Sequence, residues 1–250
     1  GKVREAVDAL RETITARKNI SSAYLNLALI YKSQEKLGDA LSVLKMGCES
    51  LPENYPIYFQ YLTYLYEAGL FDDVLRTFAE QRFAEVEFDP VVWNYIGLAY
   101  EKKGDVQNAQ ASYERALAID DKFGLTYSNL GALYFRGFRK TLQPELLRKA
   151  VVSYEKAVEV DPTYGEAYSG LGVAYYQAGN YVRAIVSLEK ALALDAGLDE
   201  AYYFLGSAYL KKGDKSKAYS AFMKYKSTPS YGLLSPSAKA KLEEMIALTK

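Results

Sequence analysis

WNYIGLAYEKKGDVQNAQASYERAL, residues 93–117, is the stretch on which the fold turns. Counting from Trp93, residues Ile96, Gly97 and Tyr100 fall three, four and seven places on, which is one face of an α-helix. Lys103-Gly104-Asp105 then breaks the pattern, and Ala109, Tyr113 and Ala116 begin a second helical face. Where two such helices cross closely, one must present a small residue so that the other can insert a ring. Gly97 and Tyr113 supply the two sizes, and misplacing either leaves a cavity or a clash.

Working outward, the same arrangement returns along the whole chain. Tyr24, Tyr58, Trp93, Tyr127, Tyr168 and Tyr202 come into register at spacings of 34, 35, 34, 41 and 34 residues. Four residues after each stands Ala28, Leu62, Gly97, Gly131, Gly172 or Gly206, and seven after stands Tyr31, Leu65, Tyr100, Tyr134, Tyr175 or Tyr209. The second helices carry a small residue (Ala40, Val74, Ala109, Ala150, Ala184, Ala218) and, four on, a large one (Leu44, Phe78, Tyr113, Tyr154, Leu188, Phe222). Breakers such as Ala178-Gly179-Asn180 and Lys212-Gly213-Asp214 separate the helices, and Leu51-Pro52 or Asp161-Pro162 closes the repeat.

The pattern Trp93, Ile96, Gly97, Tyr100, Ala109, Tyr113, Ala116, repeated at Tyr168, Leu171, Gly172, Tyr175, Ala184 and Ala191, resembles the tetratricopeptide repeat over essentially the whole chain. The resemblance implies an all-α fold, a right-handed superhelical α-solenoid of helix-turn-helix repeats forming one array over 1–250. Its repeats are 21–54, 55–89, 90–123, 124–164, 165–198 and 199–232. Residues 1–20 then read as the second helix of an incomplete repeat, so the chain is expected to be an excerpt, and 233–250 as a capping helix opened by Ser235-Pro236. Two repeats depart from the pattern. The repeat from Tyr55 has Leu62, Val74 and Gln81 where small residues are expected, which should hold its helices apart. The repeat from Gly124 has seven extra residues, expected as a loop over 136–145.

Composition narrows the function. The 31 basic and 31 acidic residues cancel, so no net field draws the chain to nucleic acid or anionic lipid. No run of 18 apolar residues is present for membrane insertion. With a single cysteine, Cys48, and no histidine, an intrachain disulfide, most zinc sites and the commonest general base are all missing. Gly170-Leu-Gly172 lies inside a helical pattern and reads as close packing rather than a phosphate loop. Asp72-Asp73 and Glu243-Glu244 read as solvated charge, and Asn19-Ile-Ser21 as a chance sequon. These readings point to no enzyme, no catalytic residue, no metal and no cofactor, and the opening residues carry no targeting signal.

The family resemblance further implies that the first helix of each repeat lines a concave groove. Carried over, the groove positions include Leu25, Leu29, Phe59, Tyr66, Asn94, Leu98, Phe135, Tyr176, Tyr203 and Leu210, an apolar and aromatic strip suited to a protein or peptide ligand. Arg136, Phe138, Arg139 and Lys140 of the insertion form a second candidate, a docking loop. The Lys-x-x-x-Asn pair with which some relatives clamp a C-terminal carboxylate is absent, its places holding Leu25 and Leu29 or Phe59 and Thr63. An apolar or helical partner segment is therefore the expected ligand of a protein-interaction scaffold. Two alternatives stand beside it. Residues 224–250 are similar to tails of bacterial proteins in which repeats follow a sulfatase-like hydrolase, so the array could be an accessory region of a larger enzyme; or it could self-assemble.

Overall fold

The computed structural model describes residues 1–80 and 89–249. It is 81% helical, with 15 helices and no strand among the described residues. They are α1 (Lys2–Ala16), α2 (Ser21–Ser33), α3 (Leu37–Ser50), α4 (Tyr55–Glu67), α5 (Phe71–Glu80), α6 (Pro90–Lys102), α7 (Val106–Ile119), α8 (Gly124–Thr141), α9 (Pro144–Val160), α10 (Gly165–Gln177), α11 (Tyr181–Leu194), α12 (Asp199–Lys212), α13 (Lys215–Lys226), α14 (Pro229–Gly232) and α15 (Pro236–Ala247). They fall into two compact units, Gly1–Asp120 and Asp121–Lys250, and each is an α-solenoid of antiparallel helix pairs.

The breakers read from the sequence do their work through side-chain caps. Asp105, Asn180 and Asp214, each following a turn glycine, accept from the backbone N–H three residues on at 3.1, 3.2 and 3.1 Å, and so start α7, α11 and α13. Asp89 caps α6 by accepting from Val91 and Val92, with Pro90 in the first turn, where its missing N–H costs nothing. Ser235 caps α15 in the same way, with Pro236 behind it. Leu242 and Ile246 of α15 are buried, whereas Leu248, just past the end of the helix at Ala247, is 61% exposed.

Inside each regular pair the expected size match is present at atomic contact. A Cβ on Gly97 would stand 2.5 Å from the Tyr113 ring, on Gly131 3.0 Å from Tyr154, on Gly172 2.5 Å from Leu188 and on Gly206 2.6 Å from Phe222. All four are far inside van der Waals separation, so these glycines are what lets the paired helices close. Tyr154 also reaches the next repeat, where a Cβ on Gly170 would meet its ring at 2.5 Å. Both glycines of Gly170-Leu-Gly172 therefore serve packing inside α10.

A polar accompaniment to this packing is not visible in the repeat pattern. The hydroxyls of Tyr175 and Tyr209 donate to Glu155 and Glu189, each twenty residues earlier. A cation eight residues later lies over each ring, Arg183 at 5.6 Å from the Tyr175 centroid and Lys217 at 5.2 Å from that of Tyr209. Burial first, then the carboxylate, pushes both phenol pKa values up.

The two irregular repeats resolve differently. In the repeat from Tyr55, Leu62 and Val74 are both fully buried, and Phe78 meets the Trp93 ring edge-on at 5.0 Å. Gln81 lies outside the described residues. The insertion in the repeat from Gly124 is a correction: no loop spans 136–145. The added residues lengthen α8 to 18 residues and α9 to 17, against 13 and 14 in α10 and α11. The apolar spacing carries through the added turns. A Cβ on Gly137 would stand 3.1 Å from Leu146, and Leu147 is buried, so the extra turns pack on each other and only Leu142 and Gln143 connect them.

Candidate protein-interaction site

The groove positions are half-buried rather than fully exposed. In the first unit, Leu25, Phe59, Tyr66 and Leu98 are half-buried, and Leu29, at 60%, is the one strongly exposed member of the set there. Tyr66 of α4 packs at a tilt against Tyr95 of α6 at 5.3 Å, and Phe59 against the same ring at 6.4 Å. Burial is the main cause of an upward shift in the Tyr66 hydroxyl pKa, with Glu101 and Tyr95 adding to it.

Asn94 is a correction. Expected at the groove surface, it is 1% exposed and engaged by neighbouring groups. A carboxamide so enclosed must be hydrogen-bonded, and short polar residues recur near this face for the same reason. Ser128, at the matching position of α8, is 8% exposed. Ser207, also buried, donates to the Tyr203 carbonyl of its own helix at 2.8 Å. All three positions are enclosed within the helix stack.

In the second unit three of the expected residues converge on a cleft of about 440 Å³. Phe135 and Arg139 enter it from α8, and Tyr203 from α12. Residues the sequence reading missed complete it: Gln177 from α10, Glu200 and Phe204 from α12, Tyr225 from α13, and Leu234, Ala238 and Lys241 from the capping segment. Tyr203 touches Phe204 at 5.3 Å and Tyr225 at 5.6 Å, so three rings form one continuous wall. Tyr176 packs edge-on to Phe204 at 5.7 Å, and Leu210 is half-buried against the hydrophobic core and does not line the cleft.

Of the insertion residues, Phe138 packs on Phe135 at 6.2 Å, while Arg136 and Lys140 are exposed on α8 outside the cleft. Arg139 owes its place to the insertion. A first helix of the 13 residues found in α10 would have stopped near Arg136, short of it. Phe204 had a visible signal, an aromatic two places after Tyr202, as Tyr95 is after Trp93. Leu234, Ala238 and Lys241 had none, because the capping segment stands outside the repeat.

Among the described residues no cluster of three or more His, Cys, Asp or Glu could hold a metal ion, and no helix is long and apolar enough to cross a membrane. Cys48 is a half-buried free thiol whose pKa burial pushes up to about 11, an unreactive setting.

Family models of the tetratricopeptide repeat match residues 90–123, 165–197 and 199–227, and a further TPR repeat model matches 147–179. No curated protein matches the chain in sequence. Among solved structures, the APC/C hetero-tetramer Cut9-Hcn1 superposes at a TM-score of 0.71 over 98% of this chain, at 15% identity; the chain spans 46% of the length of that relative. A tetratricopeptide repeat protein from Parabacteroides merdae ATCC 43184 gives 0.64 at 18% identity, over 99% of this chain and 92% of its own. YrrB, a TPR protein with an unusual peptide-binding site, gives 0.54 at 17% identity, over 79% of this chain and 97% of its own. At these identities the likeness concerns the fold alone, and the family rests on the repeat matches. The chain belongs to the tetratricopeptide-repeat family.

Proposed function

We propose that this protein-interaction scaffold holds a peptide or helical segment of a partner in the aromatic cleft of its second unit, and that it does so without catalysis. The observation that carries the reading is the wall of Tyr203, Phe204 and Tyr225, which with Phe135 lines a cleft of about 440 Å³. A space of that size accepts one or two large side chains. Aromatic walls supply contact area at little entropic cost, and the tyrosine hydroxyls orient what enters. YrrB shows a peptide-binding site on the same fold. The tilted pair Tyr66 and Tyr95 of the first unit offers a smaller secondary surface, in which the rings already pack on each other.

The test compares affinity capture by the wild-type chain with capture by the double variant Phe135→Ala, Tyr203→Ala, folding being checked by circular dichroism. Truncating two rings at the centre of a binding site costs about 1 to 3 kcal/mol each. The partner should be lost at unchanged helicity, while Tyr66→Ala should leave capture nearly intact. Equal capture by wild type and double variant would rule the cleft out.

A further inference from the structure

We infer that the cleft of the second unit selects a peptide segment in which an apolar anchor residue is flanked by carboxylates, a specificity that rests on the proposed use of this cleft. Its floor and wall are aromatic, and its charged lining is Arg139, Lys241 and Glu200. Neither cation has an ion-pair partner among the described residues, although other surface cations of this unit do: Lys226 with Glu243 at 2.5 Å, Lys156 with Glu159 at 2.8 Å, Arg148 with Glu145. An unpaired arginine and lysine beside an apolar surface lower the free energy of a carboxylate held there and raise that of an ammonium, so discrimination follows from charge while the rings supply the contact area.

The two cations come from the two elements that lie outside the regular repeat. Arg139 sits on the part of α8 added by the insertion, and Lys241 on the capping helix α15. An array without these two additions would present the rings without the charges. Glu200 opposes the trend. It lines the cleft near Tyr225, whose hydroxyl pKa is pushed up by burial and then by this carboxylate. Its presence leaves the lining one positive charge in excess, and it disfavours an acid at that end, so the favoured carboxylates are those next to Arg139 and Lys241.

A displayed library of random 15-residue peptides selected on the 250-residue chain tests this, with binding of selected peptides measured at low and high salt. The expected result is enrichment of Phe, Leu or Ile with Asp or Glu beside it, and roughly tenfold weaker binding when the acids are replaced by Gln, the difference shrinking as salt rises. The double charge reversal Arg139→Glu, Lys241→Glu should abolish the acidic preference. Apolar-anchored peptides that bind with no preference for acid, yet are lost in the Phe135→Ala, Tyr203→Ala variant, would overturn the charge selection and leave the cleft reading standing. A preference for Lys or Arg would overturn it in favour of a cation held by Glu200 and the rings. Selected peptides indifferent to Phe135 and Tyr203, or no peptide at all, would remove the cleft reading and this inference with it.

Discussion

The pairs α10–α11 and α4–α5 occupy the same register of the repeat and close in opposite ways. In α10–α11 the first helix offers Gly172, and Leu188 fills the space where its Cβ would be. In α4–α5 the corresponding residues are Leu62 and Phe78; Leu62 is fully buried, and Phe78 packs edge-on against Trp93 of the next repeat. The comparison shows that the repeat obeys a rule of volume. What must be conserved is the filling of the crevice, and a bulky first-helix residue is accepted when the second-helix ring goes elsewhere. Family models match three of the four repeats that hold glycine in this slot, those of Gly97, Gly172 and Gly206, and no match reaches Gly131 of the lengthened repeat.

The largest expected effects come from exchanging the two solutions. Leu62→Ala, which gives α4 the residue size of a regular repeat, should destabilise by about 2 to 5 kcal/mol, because no ring stands ready to fill the hole. Gly172→Ala should destabilise by about 1 to 3 kcal/mol despite the better helix propensity of alanine. The new methyl meets Leu188 at 2.5 Å and also the Ala184 backbone carbonyl at 3.2 Å. Trimming Leu188 therefore recovers only part of the loss, since the backbone contact stays. Urea denaturation of both variants decides the matter, and a neutral Leu62→Ala would show that the second repeat is slack rather than filled.

A middle-sized effect separates the later repeats from the first. Tyr175 and Tyr209 each find a glutamate twenty residues earlier and a cation eight later. Tyr31 occupies the same register with the signs reversed, Arg11 earlier and Asp39 later, and its hydroxyl is buried with no partner among the described residues. Arg11→Glu combined with Asp39→Lys should therefore stabilise by about 0.5 to 1.5 kcal/mol, and Tyr175→Phe should destabilise by a similar amount.

The same groups set an alkaline limit. Burial and Glu155 raise the folded-state pKa of Tyr175, so the folded chain keeps a proton that the unfolded chain begins to release near pH 10. Its contribution is whole below that value and is lost as pH climbs through the folded one. The melting temperature should hold to pH 9 and fall by pH 11, and fall less in a Tyr175→Phe, Tyr209→Phe variant. Equal falls would assign the alkaline loss to other groups.

The helical repeat, the size slots and the caps were legible in the sequence because each is fixed by neighbours within one repeat, as Asp105 and Gly97 are. The tyrosine–glutamate pairs were not, because each crosses from one repeat to the next, and neither were three larger features. The insertion read as a loop because length alone was considered, while the spacing of Phe135 and Phe138 and of Leu147 and Ala150 already continued both helices. Asn94 read as exposed because groove positions were assigned one helix at a time, and its burial depends on the rest of the stack. The cleft was half visible: Phe135, Arg139 and Tyr203 were named, but Tyr225 lies on a second helix and Lys241 on an aperiodic cap, so nothing local joins them to the site.

The smallest expected effect concerns a turn. After the first helix of four pairs, Gly69, Gly104, Gly179 and Gly213 take φ of 72, 80, 76 and 82°. In each, the next residue donates its N–H back to the residue at the seventh position: Leu70 to Leu65 at 3.0 Å, Asp105 to Tyr100 at 2.9 Å, Asn180 to Tyr175 at 2.9 Å and Asp214 to Tyr209 at 3.0 Å. The first pair makes the same bond, Lys36 to Tyr31 at 3.0 Å, but the left-handed position holds Glu35 at φ 61°. A side chain there costs about 1 kcal/mol, and Glu35→Gly removes that strain while adding freedom to the unfolded chain. The net gain should be a few tenths of a kcal/mol, with Gly104→Ala costing about 1 kcal/mol in the opposite direction. Paired urea titrations resolve the contrast. A loss in Glu35→Gly would mean that the unfolded-state entropy outweighs the strain, and that the first turn is held by its hydrogen bonds well enough not to need glycine.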